Sequence, residues 1–153
     1  MFTPHWQLAS FSELSTSTLY RILLERQAVF IVEQHCAYPD IDTLDYQALH
    51  LIGYPTSHSD EILAYLRILP PNTRYSEPSL GRILTPQKYR NRGLGKLLME
   101  QGIYYCNQFH PNFSLRISAQ AYLKKFYESF DFKTVSSPYL EDNIPHIDML
   151  RTY

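Results

Sequence analysis

Arg90-Asn91-Arg92-Gly93-Leu94-Gly95-Lys96 decides the reading of this chain, because it joins a short apolar run, Leu80 to Thr85, to a helical pattern starting near Arg92. A strand that enters a glycine turn and passes directly into a helix exposes backbone N–H groups at the positive end of the helix dipole. That geometry binds phosphate oxygens. Gly93 and Gly95 carry no Cβ to hold a ligand off the backbone, while Arg90, Arg92 and Lys96 supply positive charge. On the loop alone, two glycines and three bases can equally cap an exposed helix, and that alternative stays open. The spacing excludes two common phosphate motifs. Leu98 stands where a dinucleotide fingerprint has its third glycine, and the GxxxxGK[ST] pattern of nucleotide triphosphatases is missing.

Working outward from the loop, apolar spacing predicts one or two helices within residues 11–32, with Ser12 or Ser15 as caps. Residues 48–54 and 62–69 read as strands of a hairpin whose turn lies around Pro55 to Asp60. Leu80 to Thr85 is a further strand, stopped by Pro86, and the helix after the loop runs to His110-Pro111. Ser114 to Ala119 alternates as a strand, and Ala121 to Phe130 resumes the helical period. Strands near 135 and 147, joined by the segment Pro138 to Pro145, close the chain. Strand, helix, strand implies a right-handed crossover between parallel neighbours beside an antiparallel portion, hence a mixed α/β sheet. The expected domain is a single one over residues 1–153, since the chain has no internal repeat or low-complexity tract.

Composition narrows the function classes. Of 153 residues 44% are hydrophobic, enough for one core, and the net charge is -1, so no global basic field exists to hold nucleic acid. The 13 tyrosines are scattered through apolar segments instead of alternating with Lys and Arg, so core filling explains them better than base stacking. No early segment is apolar enough to span a bilayer or to act as a signal core, and the two cysteines, Cys36 and Cys106, make no disulfide framework. The expected location is cytoplasmic and the expected partner small, with no nucleic acid and no membrane. Charge is unevenly placed, however. Arg82 to Lys96 holds five bases and no acid, whereas residues 27–66 hold acids and no Lys or Arg. The basic stretch suits a polyanionic cofactor. The acidic stretch, with Glu33, Asp40, Asp42, Asp45, Asp60 and Glu61, suits a cationic amine or is simply a solvated face.

Arg90-x-x-Gly93-x-Gly95 after a strand resembles the [Q/R]-x-x-G-x-[G/A] motif of the GNAT acetyltransferase superfamily, without gaps. Ala121 to Phe132 is similar to that superfamily's A-x-x-x-Y-x-x-x-G-F helix ending, with Tyr127 on the tyrosine and Asp131 in place of the glycine. Almost the whole chain, about Phe11 to Met149, looks like the ElaA-type group within it. The residues that carry this likeness are Arg26-Gln27-x-Val29-Phe30-x-Val32-Glu33-Gln34, His50-Leu51, Gly81-Arg82, Ala119-Gln120 and Glu141-Asp142-Asn143-Ile144-Pro145-His146-Ile147. Asn143 replaces the usual Gly and Ala37 the usual Pro, and both Asn and Asp tolerate positive φ.

The resemblance implies a GNAT-type fold, in which a mixed, mostly antiparallel central sheet is flanked by helices and opens a coenzyme A cleft at one parallel strand pair. It implies acetyl-CoA as co-substrate, an amine acceptor and N-acetyl transfer by direct attack. A non-catalytic acyl-CoA-binding module or an enzyme using longer acyl donors are the alternatives. It further implies that backbone amides of Arg90, Asn91, Arg92, Gly93, Leu94, Gly95 and Lys96 hold the pyrophosphate. Main-chain groups of Ile83 and Leu84 bond the pantetheine arm, and Gln120 offers it an amide. Tyr127 protonates the departing thiolate, a role open to a neutral phenol but one that competes with plain core packing. A base is also needed, and Glu33, His146, His50 and Glu141 are the candidates, with Glu33 and His146 ranked first and each equally able to be structural. His50, between apolar strand residues, suits a core histidine in particular. No metal is expected, since no His/Cys pair has ligand spacing. A homodimer is left open.

Overall fold

The computed structural model describes residues 3–153. Among them an eight-stranded sheet forms, in the order β1-β2-β3-β4-β5-β8-β6, with β7 also paired to β8. The strands are β1 (His5–Ser10), β2 (Leu49–Tyr54), β3 (Ala64–Leu69), β4 (Ser79–Leu84), β5 (Leu115–Gln120), β6 (Lys133–Thr134), β7 (Tyr139–Glu141) and β8 (Ile144–Arg151). All pairings are antiparallel except β4 with β5. The mixed sheet with one parallel pair, expected from the sequence, is therefore observed. Two details differ from expectation. Strand β1 was not anticipated, although Trp6 and Leu8 alternate with polar residues. The segment between Pro138 and Pro145 is no plain connection: β7 occupies it and turns into β8 through Asp142 (φ 50) and Asn143 (φ 63). Positive φ at both turn residues is the backbone a two-residue hairpin requires, and Asp and Asn tolerate it.

Helix α1 (Thr16–Arg26) is capped by Ser15, whose Oγ accepts from Thr18 N at 3.0 Å. It continues as a π-helical segment over Gln27–Glu33. Helix α2 (Leu94–Phe109) and the short α3 (Lys124–Glu128) follow β4 and β5. Alternation within the strands sends side chains to two cores. Leu51, Leu66 and Ile68 pack with Leu98, Met99 and Cys106 of α2, whereas Ile52 and Tyr65 pack with Ile22 of α1 and Val29. With helices on both faces, β3 is buried throughout. Gly102 lets α2 approach closely, since a Cβ there would lie 2.7 Å from Leu66 Cδ2.

Between α1 and β2 the chain crosses the molecule as a loop carrying Asp40, Asp42 and Asp45. Three arginines from three elements meet it. Arg26 Nε donates to Asp40 Oδ2 at 2.9 Å and its Nη1 to Asp45 Oδ1 at 2.8 Å. Arg67 of β3 donates to Asp42 Oδ1 at 2.6 Å and Asp45 Oδ1 at 2.9 Å. Arg82 of β4 donates to the Asp40 carbonyl at 2.9 Å and pairs with both the Asp40 and Asp42 carboxylates. Arg26 and Arg67 are fully buried. The acidic stretch of the sequence is thus largely neutralised inside the molecule; Glu33, Asp60 and Glu61 are likewise paired, with Arg90, Arg21 and Lys88. Each of its six carboxylates is committed to a basic partner.

Asp45 is the acceptor shared by Arg26 and Arg67. Its replacement by Ala leaves two buried guanidiniums short of a counter-charge, and we expect Asp45→Ala to lower the unfolding free energy by about 3–5 kcal/mol, read as a lower midpoint in urea.

Candidate active site

Strands β4 and β5 are paired only at Ser79↔Arg116. Beyond that point they separate, because β4 carries an extra residue. Tyr65 faces Leu84 but Arg67 faces Gly81, so two steps on β3 oppose three on β4. The bulge holds Arg82 at φ 52, a strained value for a residue with a side chain. Its guanidinium is fixed by Asp40 and Asp42 and lies over the Tyr38 ring at 5.6 Å. Between the diverging strands opens a cleft of about 800 Å³.

One end of the cleft is the glycine loop. Asn91 (φ 61) and Gly93 (φ 76) both take left-handed backbone, and a Cβ added at Gly93 would meet no atom within 4 Å. Gly93 is the N-cap of α2, and no side chain caps it. The first-turn amides of this 16-residue helix therefore stay open toward the cleft, which Gly93, Leu94 and Gly95 line. Open amides at the amino end of a helix are groups that bind phosphate oxygens. Arg90 differs from expectation. Its two Nη groups grip Glu33, with Nη2 to Oε2 at 2.8 Å, and its Nε donates to the Thr85 carbonyl at 3.0 Å. The remaining positive charge of the loop comes from Arg92, whose guanidinium lies 5.7 Å from the Tyr89 ring centre, and Lys96, 3.9 Å from Glu100.

The cleft brings together most of the residues singled out above. Ile83 and Leu84 line one wall, and Gln120, Tyr127, Glu141 and His146 the other. Tyr127 is buried against Phe126 and Phe132, and burial pushes its phenol well above the ordinary value, so it stays protonated at neutral pH. The turn after it holds Asp131 at φ 66, where the resembled motif has glycine. His146 sits opposite Gln120 and stacks on Tyr139 at 6.1 Å. Its Nδ1 lies 2.6 Å from the Ile144 carbonyl, and a carbonyl can only accept. The proton of the neutral ring is therefore on Nδ1, leaving the Nε2 lone pair 3.6 Å from Glu141 Oε2.

Two base candidates fare differently. Glu33 lines the cleft, but its hydrogen bond from Arg90 holds its carboxyl below the usual range. His50 lies outside the cleft lining. It is fully buried, with Nδ1 2.7 Å from Tyr65 Oη and Nε2 3.0 Å from the Asp45 carbonyl, and burial lowers its pKa. It is a core histidine. The cleft also exposes residues that the sequence did not single out: Ser118 on β5, and Arg74 with Tyr75 from the β3–β4 loop. Ser118 is the inverse phase of an alternating strand, so it was legible as cleft-facing once β4 and β5 were known to diverge. Among the described residues no His, Cys, Asp and Glu side chains are grouped to hold a metal ion, and no helix is long and apolar enough to cross a membrane.

Comparison with known proteins bears on this geometry. Residues 28–152 match the family model described as an acetyltransferase (GNAT) domain. A UPF0039 protein of Synechocystis sp. is 41% identical over 146 residues, 95% of this chain and 94% of its own. The ElaA protein of Escherichia coli is 40% identical over 148 residues, 95% of each chain, and its crystal structure superposes with a TM-score of 0.89. The crystal structure of an acyl-CoA N-acyltransferase from Pseudomonas aeruginosa is similar at TM-score 0.92 and 34% identity, covering 98% of this chain and all of that one.

If Arg90 acts on the loop through Glu33, the two side chains form one unit. We expect Arg90→Ala and Glu33→Ala each to weaken coenzyme A binding about fivefold in calorimetry, with the double variant no weaker than either single one. Independent losses that multiply would show instead that Arg90 contacts the ligand directly.

Proposed function

The chain belongs to the GNAT acetyltransferase family, and on that premise we propose that it transfers an acyl group, acetyl foremost, from acyl-CoA to a primary amine of a small molecule or peptide. The observation that carries this reading is the open amino end of α2 beside the diverging β4 and β5, with Tyr127 on the facing wall. Beyond Ser79 the edge of β4 toward the cleft is without a strand partner, so main-chain groups of Ile83 and Leu84 are available to bond a pantetheine arm as another strand would. Amides from Arg90 to Lys96 receive the pyrophosphate, assisted by the charges of Arg92 and Lys96, and the Gln120 amide offers a further contact to the arm.

The acceptor arrives as an ammonium ion and must lose a proton before its nitrogen can attack. Of the four base candidates we assign this role to His146 and Glu141, which are adjacent at the cleft, and leave Glu33 to its bond with Arg90. The neutral nitrogen attacks the thioester carbon, the C–N bond forms and the C–S bond breaks. The sulfur takes a proton from the Tyr127 hydroxyl, and the nitrogen's second proton restores that hydroxyl. Tyr127 suits the task because burial keeps its phenol protonated, and so able to donate, at neutral pH.

A thiol-release assay with acetyl-CoA and a panel of amines tests the assignment. Tyr127→Phe should slow turnover about 10²-fold with coenzyme A affinity nearly unchanged. Tight binding of acetyl-CoA without turnover on any amine would favour a binding module, and faster release from hexanoyl-CoA than from acetyl-CoA would favour a longer donor.

A further inference from the structure

Behind Glu141 the cleft wall continues as a row of oxygen atoms from three strands. Glu141 Oε2 lies 3.2 Å from Ser118 Oγ on β5. Ser118 Oγ lies 2.5 Å from Tyr139 Oη on β7, and Tyr139 Oη lies 2.5 Å from Asp148 Oδ1 on β8. The far end is anchored, since Arg116 Nη2 donates to Asp148 Oδ2 at 2.7 Å. The near end is held by Arg74, whose Nη2 donates to Glu141 Oε1 at 2.7 Å, and is faced by His146. The Tyr75 ring lies under both arginines, 5.3 Å from Arg74 and 4.9 Å from Arg116.

The protons in this row can be counted. Three oxygen–oxygen contacts need three protons to be hydrogen bonds, but two ionised carboxylates contribute none and two hydroxyls contribute one each. One contact is empty. Contacts of 2.5 Å between oxygens are too short to be held without a proton between them, which assigns the Tyr139 proton to Asp148 and the Ser118 proton to Tyr139. Ser118 Oγ is also placed to donate to Glu141 Oε2, but it has a single proton and the 2.5 Å contact with Tyr139 takes it, so the empty contact is the long one, between Ser118 and Glu141.

We propose that this vacancy receives the proton of the acceptor ammonium, with Ser118 and Tyr139 as positioning residues for Glu141; the proposal rests on the acyl-transfer reading above. R–NH3+ gives one proton to Glu141 Oε2, directly or through His146 Nε2, and keeps the lone pair that attacks. The protonated Glu141 carboxyl then donates to Ser118 Oγ, and all three contacts are filled, Glu141 to Ser118 to Tyr139 to Asp148. After transfer the proton leaves to solvent from Glu141, which is partly exposed at the cleft. The same bonds that fill on proton uptake keep the carboxyl aimed at the amine.

Removing one hydroxyl changes the count. In Tyr139→Phe the ring that stacks on His146 remains, but Ser118 loses its acceptor and turns its proton to Glu141, favouring the ionised carboxylate. In the free protein, the Glu141 carboxyl carbon signal should then titrate about half a pH unit or more lower than in the wild type, an NMR readout that needs no substrate. The acid limb of the kcat/KM profile should move the same way, with kcat down about tenfold or more and coenzyme A affinity unchanged. Ser118→Ala should lower the titration too, and adding Tyr139→Phe to it should do nothing further, because the phenol no longer connects to Glu141. An unmoved titration in Tyr139→Phe, or a further shift in the Ser118→Ala background, overturns the vacancy. Titration shifts in the variants together with a wild-type protein that acylates no amine overturn instead the ammonium as proton source, along with the acyl-transfer reading.

Discussion

The structure depends on a neutral cluster of three arginines and three aspartates set between α1, the Asp40–Asp45 loop and the strands β3 and β4. Charges taken out of water are tolerated only when every one of them is paired. Arg26, Arg67 and Arg82 reach the loop from three separate elements, and the three carboxylates answer them through shared contacts at Asp40, Asp42 and Asp45. Each of the six is paired with two others, so displacing any one of them breaks two ion pairs. The cluster therefore fixes the relative positions of a helix, a loop and two strands more tightly than apolar packing alone would.

Its consequence for the cleft runs through Arg82. That residue is both a member of the cluster and the left-handed residue of the β4 bulge. Left-handed backbone in a residue with a long side chain costs on the order of 1–3 kcal/mol and persists only where surroundings over-determine it. Here the guanidinium is held by the carboxylates while the backbone turns away from β5. The divergence of two parallel strands, and hence the space for a ligand between them, is stabilised by ion pairs whose members Asp42, Arg67 and Arg82 also line the cleft. The cleft has a second polar wall in the row from Glu141 to Asp148, so buried polar contacts frame it from both β4 and β8.

The parts of this arrangement that were legible in the sequence are those set by neighbours along the chain. The loop from Arg90 to Lys96 could be read because strand, glycine turn and helix follow one another within about fifteen residues. Asp131 and Asn143 could be read because left-handed backbone is a property of single positions. Tyr127 fell on its helix by spacing. What could not be read depends on strand order. Ser118, Tyr139 and Asp148 come from three strands, and their hydroxyls and carboxylate meet only because β8 inserts between β5 and β6. The acidic stretch suggested an exposed face for the same reason: its counter-charges, Arg26, Arg67 and Arg82, are distant in sequence. Glu33 and Arg90, 57 residues apart, read separately in the sequence as base and phosphate-loop charge, while folding joins them.

The π-helical segment Gln27–Glu33 ties these points together at the level of chain length. A wider turn of this kind amounts to one residue more than a regular helix needs, placed where it can redirect everything that follows. Each residue of a regular helix advances about 100° around the axis, from 3.6 residues per turn. Loss of a single residue in this stretch would let the helix run on evenly and would swing Glu33 through that angle, away from Arg90. It would also draw Asp40 a residue closer to Arg26. The alignment of helix, loop and cofactor cradle is in this sense metered by a count of residues, so that this stretch should accept substitutions far more readily than insertions or deletions.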